Sequence, residues 1–113
     1  MPEPFEELAS LDRLIHEPAR LAILTALSAC ESADFLFLQR ITGLTKGNLS
    51  SHLYKLEKAD IIWVRKETDG KRPRTVVGLN EHGRKAVEEH WERLESLRRD
   101  AAGWRPKPGL NSA

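Results

Sequence analysis

The sequence predicts a mainly α-helical domain with one small β-hairpin, an α+β fold. Apolar residues recur at spacings of three and four along several stretches, as they do on the buried face of a helix. Residues 36–59 contain a helix stop signal followed directly by a helix start signal, which indicates two helices joined by a tight turn. Two β-branched runs then flank Asp69-Gly70, a dipeptide typical of hairpin turns.

Composition indicates one ordinary soluble domain. The chain has 113 residues, of which 40% are hydrophobic and 31% charged, and no run approaches the roughly 20 apolar residues of a membrane helix. The acidic N-terminus does not resemble a signal peptide, so we expect a cytoplasmic location. The single Cys30 excludes an internal disulfide and a cysteine-cluster metal site. We predict one domain over residues 1–103 and a flexible tail over 104–113.

The N-terminal part predicts two helices and a short strand. An amphipathic helix runs from Pro4 to about Leu14. Pro18 suits the first turn of a second helix, whose apolar arc is wide enough for the centre of the core. After a loop, Asp34-Phe35 is expected to form one very short strand.

The middle of the chain predicts the helix-turn-helix. Gly43 stands where a left-handed stop is needed, and the Thr45 hydroxyl can cap the second helix. In that helix Leu49, Leu53 and Leu56 share one face. The opposite face carries small, hydrogen-bonding or cationic residues: Gly47, Asn48, Ser51, Tyr54, Lys55 and Lys58. Such a face suits phosphates and base edges better than a protein core.

The C-terminal part predicts a hairpin and a long helix. Residues 61–67 and 74–79 form two antiparallel strands, with the reversal at Asp69-Gly70 and a basic tip. Asn80 then caps a helix from Glu81 to about Ala102, whose apolar stripe repeats about every 3.5 residues.

Charge is unevenly distributed along the chain although the net charge is only +1. Residues 1–38 sum to −5, whereas residues 39–79 have nine basic against four acidic residues and sum to +5. A localised basic patch favours binding to DNA phosphates. Charge alone leaves a second interpretation open, a solvated face that confers solubility.

This order of elements resembles the winged helix-turn-helix transcriptional regulators of bacteria and archaea over about residues 10–100, and most closely the small MarR/ArsR-like regulators. The likeness rests on residues 44–53, Leu56-Glu57, Ile61-Ile62, residues 70–75, Leu79-Asn80-Glu81, Gly83 and Arg84. Asp60 departs from the pattern, since many relatives have Gly there. The cysteine pair of metal-sensing ArsR members is missing, so metal sensing of that type is unsupported.

The resemblance implies a dimer that places residues 46–58 in the major groove and the hairpin, or wing, at the adjacent minor groove. The predicted recognition-helix contacts are Thr45, Lys46, Asn48, Ser50, Ser51, Tyr54, Lys55 and Lys58, and the predicted wing contacts are Lys71, Arg72 and Arg74. Base reading favours the early turns of the second helix. For the wing, a second interpretation is that exposed hairpins carry charge merely to protect an edge.

The terminal helices predict a homodimer. The candidate interface residues are Phe5, Leu8, Leu11, Val87, Trp91 and Leu94, although the stripe on the last helix could instead fold back on the protein's own core. His52 is expected to bond locally beside the leucine face, with groove contact second. His16, His82 and His90 lack metal-site spacing, so no metal or other cofactor is predicted.

The function predicted from these features is a dimeric repressor that binds double-stranded DNA near a promoter and acts by occlusion. The alternative is a winged-helix module that binds protein or RNA without specific DNA binding. An enzyme is poorly supported, because Ser50, Ser51 and His52 are helical neighbours that point in different directions and no glycine-rich elbow precedes them. A cleft beside the long helix could hold a small-molecule effector, but no residue cluster marks one.

Overall fold

The computed structural model describes residues 3–107, which form five α-helices and a three-stranded antiparallel sheet. The helices are α1 (Pro4–Ala9), α2 (Pro18–Ser28), α3 (Phe35–Thr42), α4 (Lys46–Lys58) and α5 (Glu81–Gly103). The strands are β1 (Ala33–Asp34), β2 (Ile62–Asp69) and β3 (Arg72–Leu79), with β3 in the middle. The predicted fold class is therefore confirmed, and β1 adds a third strand to the hairpin.

The turn between α3 and α4 follows the predicted stop and start signals. Gly43 has a φ of 70°, in the left-handed region that glycine enters without a Cβ penalty. Its N–H donates to the Gln39 carbonyl at 3.0 Å. The Thr45 hydroxyl accepts the Asn48 N–H at 3.1 Å and so caps α4. Local hydrogen bonds therefore close the turn at both ends.

The core lies where α2, α4 and the sheet meet. Leu49, Leu53 and Leu56 of α4 are at most 5% exposed, which confirms the predicted apolar face. The same cluster contains Ile23, Leu24, Leu27, Leu38, Ile62, Val77 and Val87. Because this stripe fixes which side of α4 is inside, the polar side of the helix is left in solvent.

The short strand differs from the prediction by one residue. It spans Ala33–Asp34, not Asp34-Phe35, and Ala33 pairs with Val77 of β3. Phe35 already begins α3, because the Asp34 carboxylate accepts the Phe37 N–H at 2.7 Å and acts as the N-cap. Asp34 thus ends the strand and caps the helix that follows.

The hairpin turn also differs from the prediction. Asp69 pairs with Arg72, so Gly70 and Lys71 are the two turn residues, one position later than predicted. Gly70 has a φ of 66°, which a two-residue hairpin turn of this kind requires at its first central position. The strands therefore extend further into the basic tip than the sequence pattern indicated.

The first helix is shorter than predicted and ends at Ala9, not near Leu14. The Ser10 hydroxyl donates to the Glu7 carbonyl at 3.0 Å, and the Asp12 carboxylate accepts the Leu14 N–H at 2.8 Å. Such side-chain bonds compete with helix continuation. Residues 10–17 instead link α1 to α2, and we call this segment the connector.

The last helix extends well beyond the core. Asn80 caps it by accepting the Gly83 N–H at 2.8 Å, as predicted. The Cα radius of gyration is 18.1 Å and the longest dimension 69 Å, where a compact domain of this length has a radius of about 13 Å. We call α1 together with residues 91–103 the arm.

Within residues 3–107, no helix is long and apolar enough to cross a membrane.

The end of the arm is held by Trp104. Its ring meets Phe5 edge-on with 5.1 Å between centroids, and its Nε1–H donates to a Glu3 carboxylate oxygen at 2.8 Å. The tail predicted as flexible therefore begins with a packed residue. Residues 108–113 of that prediction lie outside the described part of the chain.

Candidate nucleic-acid interface

The exposed side of α4 carries the residues that the sequence selected for the recognition helix. Thr45, Lys46, Asn48, Ser50, Ser51, Tyr54, Lys55 and Lys58 are all exposed. Tyr54 is 59% exposed, and the Lys58 ammonium lies 5.4 Å from the centre of its ring. Hydroxyl, amide and ammonium groups thus form one surface, while the leucines face the core. That these residues contact DNA stays a prediction.

The first turn of α4 has the properties of an anion-binding helix terminus. Backbone N–H groups there lack helical partners, and the helix dipole places partial positive charge at this end. Lys46 adds a full charge beside them. The space around Gly47 is open, with no atom within 4 Å of the position that a Cβ would occupy. A phosphate or a base edge can therefore approach the backbone closely.

The basic residues of the wing are not equivalent. Lys71 and Arg72 are exposed at the tip. Arg74 lies nearer the base, where its guanidinium is 3.8 Å from Asp34 and 3.9 Å from Glu67. Exposed ion pairs of this length contribute less than about 1 kcal/mol, but they offset much of the charge that Arg74 would offer a phosphate.

A cleft of about 730 Å³ separates α4 from the wing. Its apolar residues include Phe35, Leu53 and Val64, and its cationic residues include Lys46 and Arg72. The cleft thus has an apolar lining with positive charge on both the helix side and the wing side.

Lys66 is a cleft residue that the sequence prediction missed. It lies on β2, lines the cleft, and donates from Nζ to the Thr75 hydroxyl at 3.0 Å. Val64, two residues earlier, packs against the core. Since strand residues two apart share a face, the alternation from Val64 was a usable signal that Lys66 faces α4.

His52 leaves the recognition helix on the side that faces α2. Its Nδ1 lies 3.1 Å from Arg20 Nη1 and 3.7 Å from a Glu17 carboxylate oxygen. The ring is half-buried. His52 thus packs and bonds within the chain beside the leucine face, as predicted.

Two histidines that are distant in sequence meet outside the basic surface. Nδ1 of His16, in the connector, lies 3.1 Å from Nε2 of His90, in α5. His90 is only 6% exposed, and burial lowers its pKa, with His16 and Arg93 acting in the same direction and Asp12 against them. Among the described residues no group of three or more His, Cys, Asp or Glu side chains could hold a metal ion.

The six residues predicted for the dimer interface separate into two groups. Leu11 and Val87 are buried within the chain, at 7% and 2% exposure. Phe5 and Trp91 are 47% and 41% exposed, while Leu8 and Leu94 are half-buried. Among these six residues, the two exposed ones, Phe5 and Trp91, therefore lie on the arm, while α3 also exposes Leu36 and Ile41.

An exposed polar and cationic helix beside a basic hairpin, on this fold, defines a DNA-binding transcriptional regulator of the winged-helix class and not an enzyme. The winged helix DNA-binding domain family matches residues 19–97, and the chain belongs to that family. An uncharacterized protein of Methanocaldococcus jannaschii is 30% identical over 78 residues, which cover 69% of this chain and 85% of that protein.

Solved structures share the fold over most of the chain. A transcriptional regulator homologue from Pyrococcus horikoshii superposes with a TM-score of 0.78 and 28% identity, covering 89% of this chain and 98% of that one. A MarR-family transcriptional regulator from Silicibacter pomeroyi superposes with a TM-score of 0.60 and 23% identity, covering 91% of this chain and 67% of that one. The resemblance predicted from the sequence motifs is thus confirmed.

Proposed function

We propose that the chain is a homodimeric repressor that binds a preferred duplex DNA sequence, with α4 in the major groove and the wing at the adjacent minor groove. The observation that carries the proposal is the one-sided build of α4, whose predicted contact residues are all exposed while its leucines are buried. Occupation of a site near a promoter would then block transcription by occlusion.

Base reading in this proposal belongs to the first two turns of α4. Asn48 has the amide geometry for a bidentate pair with adenine, and Lys46 can donate to guanine O6 and N7. Ser50, Ser51 and Tyr54 supply hydroxyl groups for phosphates or base edges. The hydrogen bond from the Asn48 N–H to the Thr45 hydroxyl keeps this end of the helix ordered before DNA binds.

The cleft gives the DNA backbone a place between the two reading elements. With a helix in the major groove and a hairpin at the neighbouring minor groove, the strand that separates the grooves passes between them. Lys46 and Lys66 are cationic residues on opposite sides of the cleft, and Leu53 is part of its apolar lining. Phosphates would contact the two lysines, and deoxyribose carbons would contact Leu53.

The arm is the proposed dimer element. It projects from the core, as the 69 Å length of the chain indicates, and it leaves Phe5 and Trp91 exposed. Large exposed apolar patches mark interaction surfaces. A twofold pair of arms would present two α4 helices about one helical turn of DNA apart and so favour a palindromic site.

The experiment that tests DNA binding is a salt series on random duplex DNA. Each neutralised phosphate contributes a slope of about 0.9 to the fall of log affinity with log salt. The double variant Lys71→Ala/Arg72→Ala should reduce that slope by roughly 2 per protomer. The matched control, Lys85→Ala/Lys107→Ala, removes the same charge outside α4, the wing and the arm, and should leave the slope unchanged.

The reading of bases is tested separately with sequences selected from random DNA. Asn48→Ala should relax preference at one base pair by about 1–3 kcal/mol and leave affinity for random duplex nearly unchanged. If affinity for duplex DNA does not change with salt, and the protein instead binds RNA or another protein tightly, the proposal is rejected in favour of an interaction module.

A further inference from the structure

We propose that Arg20 positions the recognition helix for specific DNA binding, through a hydrogen bond to His52 that exists only while His52 is neutral. The inference rests on the proposed function, because it assumes that α4 reads DNA. It adds residues on α2 and on the inner side of α4 to those on the exposed face.

Arg20 ties three segments together. Its Nε donates to the Leu14 carbonyl at 2.6 Å and its Nη2 to the Arg13 carbonyl at 3.2 Å, both in the connector. The remaining arm of the guanidinium, Nη1, lies 3.1 Å from His52 Nδ1 on α4. Because the donors of a guanidinium form a rigid planar fork, all three bonds exist together in only one arrangement of connector, α2 and α4.

The bond to His52 adds a directional constraint on α4 that the leucine face does not provide. Leu49, Leu53 and Leu56 hold α4 against the core by hydrophobic contact, which is non-directional and tolerates small rotations of the helix. A hydrogen bond weakens steeply with angle. The Arg20–His52 bond therefore fixes the rotation of α4, and with it the direction in which Asn48 and Ser51 face the groove.

The bond also requires one tautomer of the neutral His52 ring. Arginine has donors only, so His52 Nδ1 must accept, and the ring proton of the neutral imidazole must sit on Nε2. Protonation would place a hydrogen on Nδ1 and end its role as acceptor. Glu17, whose oxygen is 3.7 Å from the same nitrogen, would then become the partner of the ring.

The charged groups around His52 make these two partners alternatives. Glu17 of the connector and Arg20 of α2 face the ring. Lys55 lies one turn further along α4. Burial acts to raise the pKa of Glu17, but hydrogen bonds from the backbone N–H groups of Arg20 and Ala19, with the charges of His52 and Arg20, lower it overall. The carboxylate is thus ready to receive an imidazolium.

The test compares specific with random binding as pH falls from about 8 to about 5.5. The readout is the ratio of affinity for a selected duplex to affinity for random duplex, which cancels charge effects common to both. For the unmodified protein this ratio should fall roughly five- to tenfold, the equivalent of one hydrogen bond.

His52→Asn is the decisive variant. Its Oδ1 can take the place of Nδ1 as acceptor for Arg20 but cannot titrate, so the ratio should stay near its high-pH value throughout. His82→Asn, which removes an exposed histidine of α5, should keep the profile of the unmodified protein. The His16–His90 pair is present in both variants, so its titration cannot account for a difference between them. Parallel profiles for His52→Asn and the unmodified protein would overturn the proposal.

Imidazole nitrogen NMR of the free protein separates this inference from the DNA-binding proposal. His52 should carry its proton on Nε2 at neutral pH, and Arg20→Gln should reduce the population of that tautomer. A neutral His52 with the proton on Nδ1 would overturn the inference whatever the protein binds. Absence of duplex binding by all variants, with the expected tautomer present, would instead show that the proposed function is wrong and that the bond serves another purpose than DNA reading.

Discussion

Replacing Gly83 with alanine should destabilise the protein strongly, although alanine is the better helix former. Gly83 lies in the first turn of α5, where a Cβ would come within 2.7 Å of the carbonyl carbon and 2.9 Å of the Cα of Ile61, and closer still to the Ile61 oxygen. Carbon atoms pack at about 3.5–4.0 Å. Backbone cannot move aside as a side chain can, so α5 must retreat.

The cost can be worked from the bonds that hold this end of α5. Retreat would stretch the Asn80 cap on the Gly83 N–H, at 2.8 Å, and the bond from the Asn80 N–H to the Ile61 carbonyl, at 3.2 Å. A lost cap and a lost hydrogen bond each cost about 1 kcal/mol, and overpacking adds about 1–3 kcal/mol. After a helix-propensity gain of up to about 1 kcal/mol, we expect a net loss of about 2–4 kcal/mol.

Urea unfolding followed by tryptophan fluorescence measures this change. With a slope of about 1.5 kcal/mol per molar, the midpoint should fall by roughly 1.3–2.7 M. Gly47→Ala is the matched control, since Gly47 also lies in the first turn of a capped helix but has open space around it. That variant should be stabilised by up to about 1 kcal/mol. Equal midpoints for the two variants would refute the reasoning.

Two further predictions concern α5, one at its contact with the connector and one on the arm. His90→Gln can keep a hydrogen bond to His16 but cannot titrate. Because the pKa of His90 is lowered in the folded state, its neutral form adds stability that is complete above the ordinary value of 6.5 and is lost as pH falls below it. The variant should therefore flatten the stability profile below that pH, and His82→Gln should not. Trp91→Glu should halve the mass measured by light scattering if the arm forms the dimer, and an unchanged mass would place Trp91 outside the interface.

The parts of the fold that the sequence predicted well are those set by local chemistry. Gly43, Thr45 and Asn80 act within one turn of their own position, so their roles as helix stop or cap follow from residue type. The leucine spacing of α4 likewise fixes its inner face, and therefore its outer one. For the same reason the candidate DNA surface on α4 is predictable without any tertiary contact.

The features that were missed depend on contacts between distant segments. His16 and His90 are 74 residues apart in sequence, and Arg20 and His52 are 32 apart. Neither pair has a sequence pattern, because each forms only when the connector folds between α5 and α4. The early end of α1 was missed for a different reason, because the local hydrogen bonds of Ser10 and Asp12 compete with the helix that the apolar spacing also allows.

The structure also changes what the charge of residues 39–79 can do. Arg74 is close to Asp34 and Glu67, and Arg65 stacks on Trp63 at 4.2 Å from the ring centre. The cations that remain exposed on α4, in the cleft or at the wing tip are Lys46, Lys55, Lys58, Lys66, Lys71 and Arg72. If only these six cations meet phosphates, the salt slope is about 5 per protomer. A steeper slope would mean that a further basic residue, Arg40, Arg65 or Arg74, also meets a phosphate, and a slope near 2 would confine DNA contact to a single element.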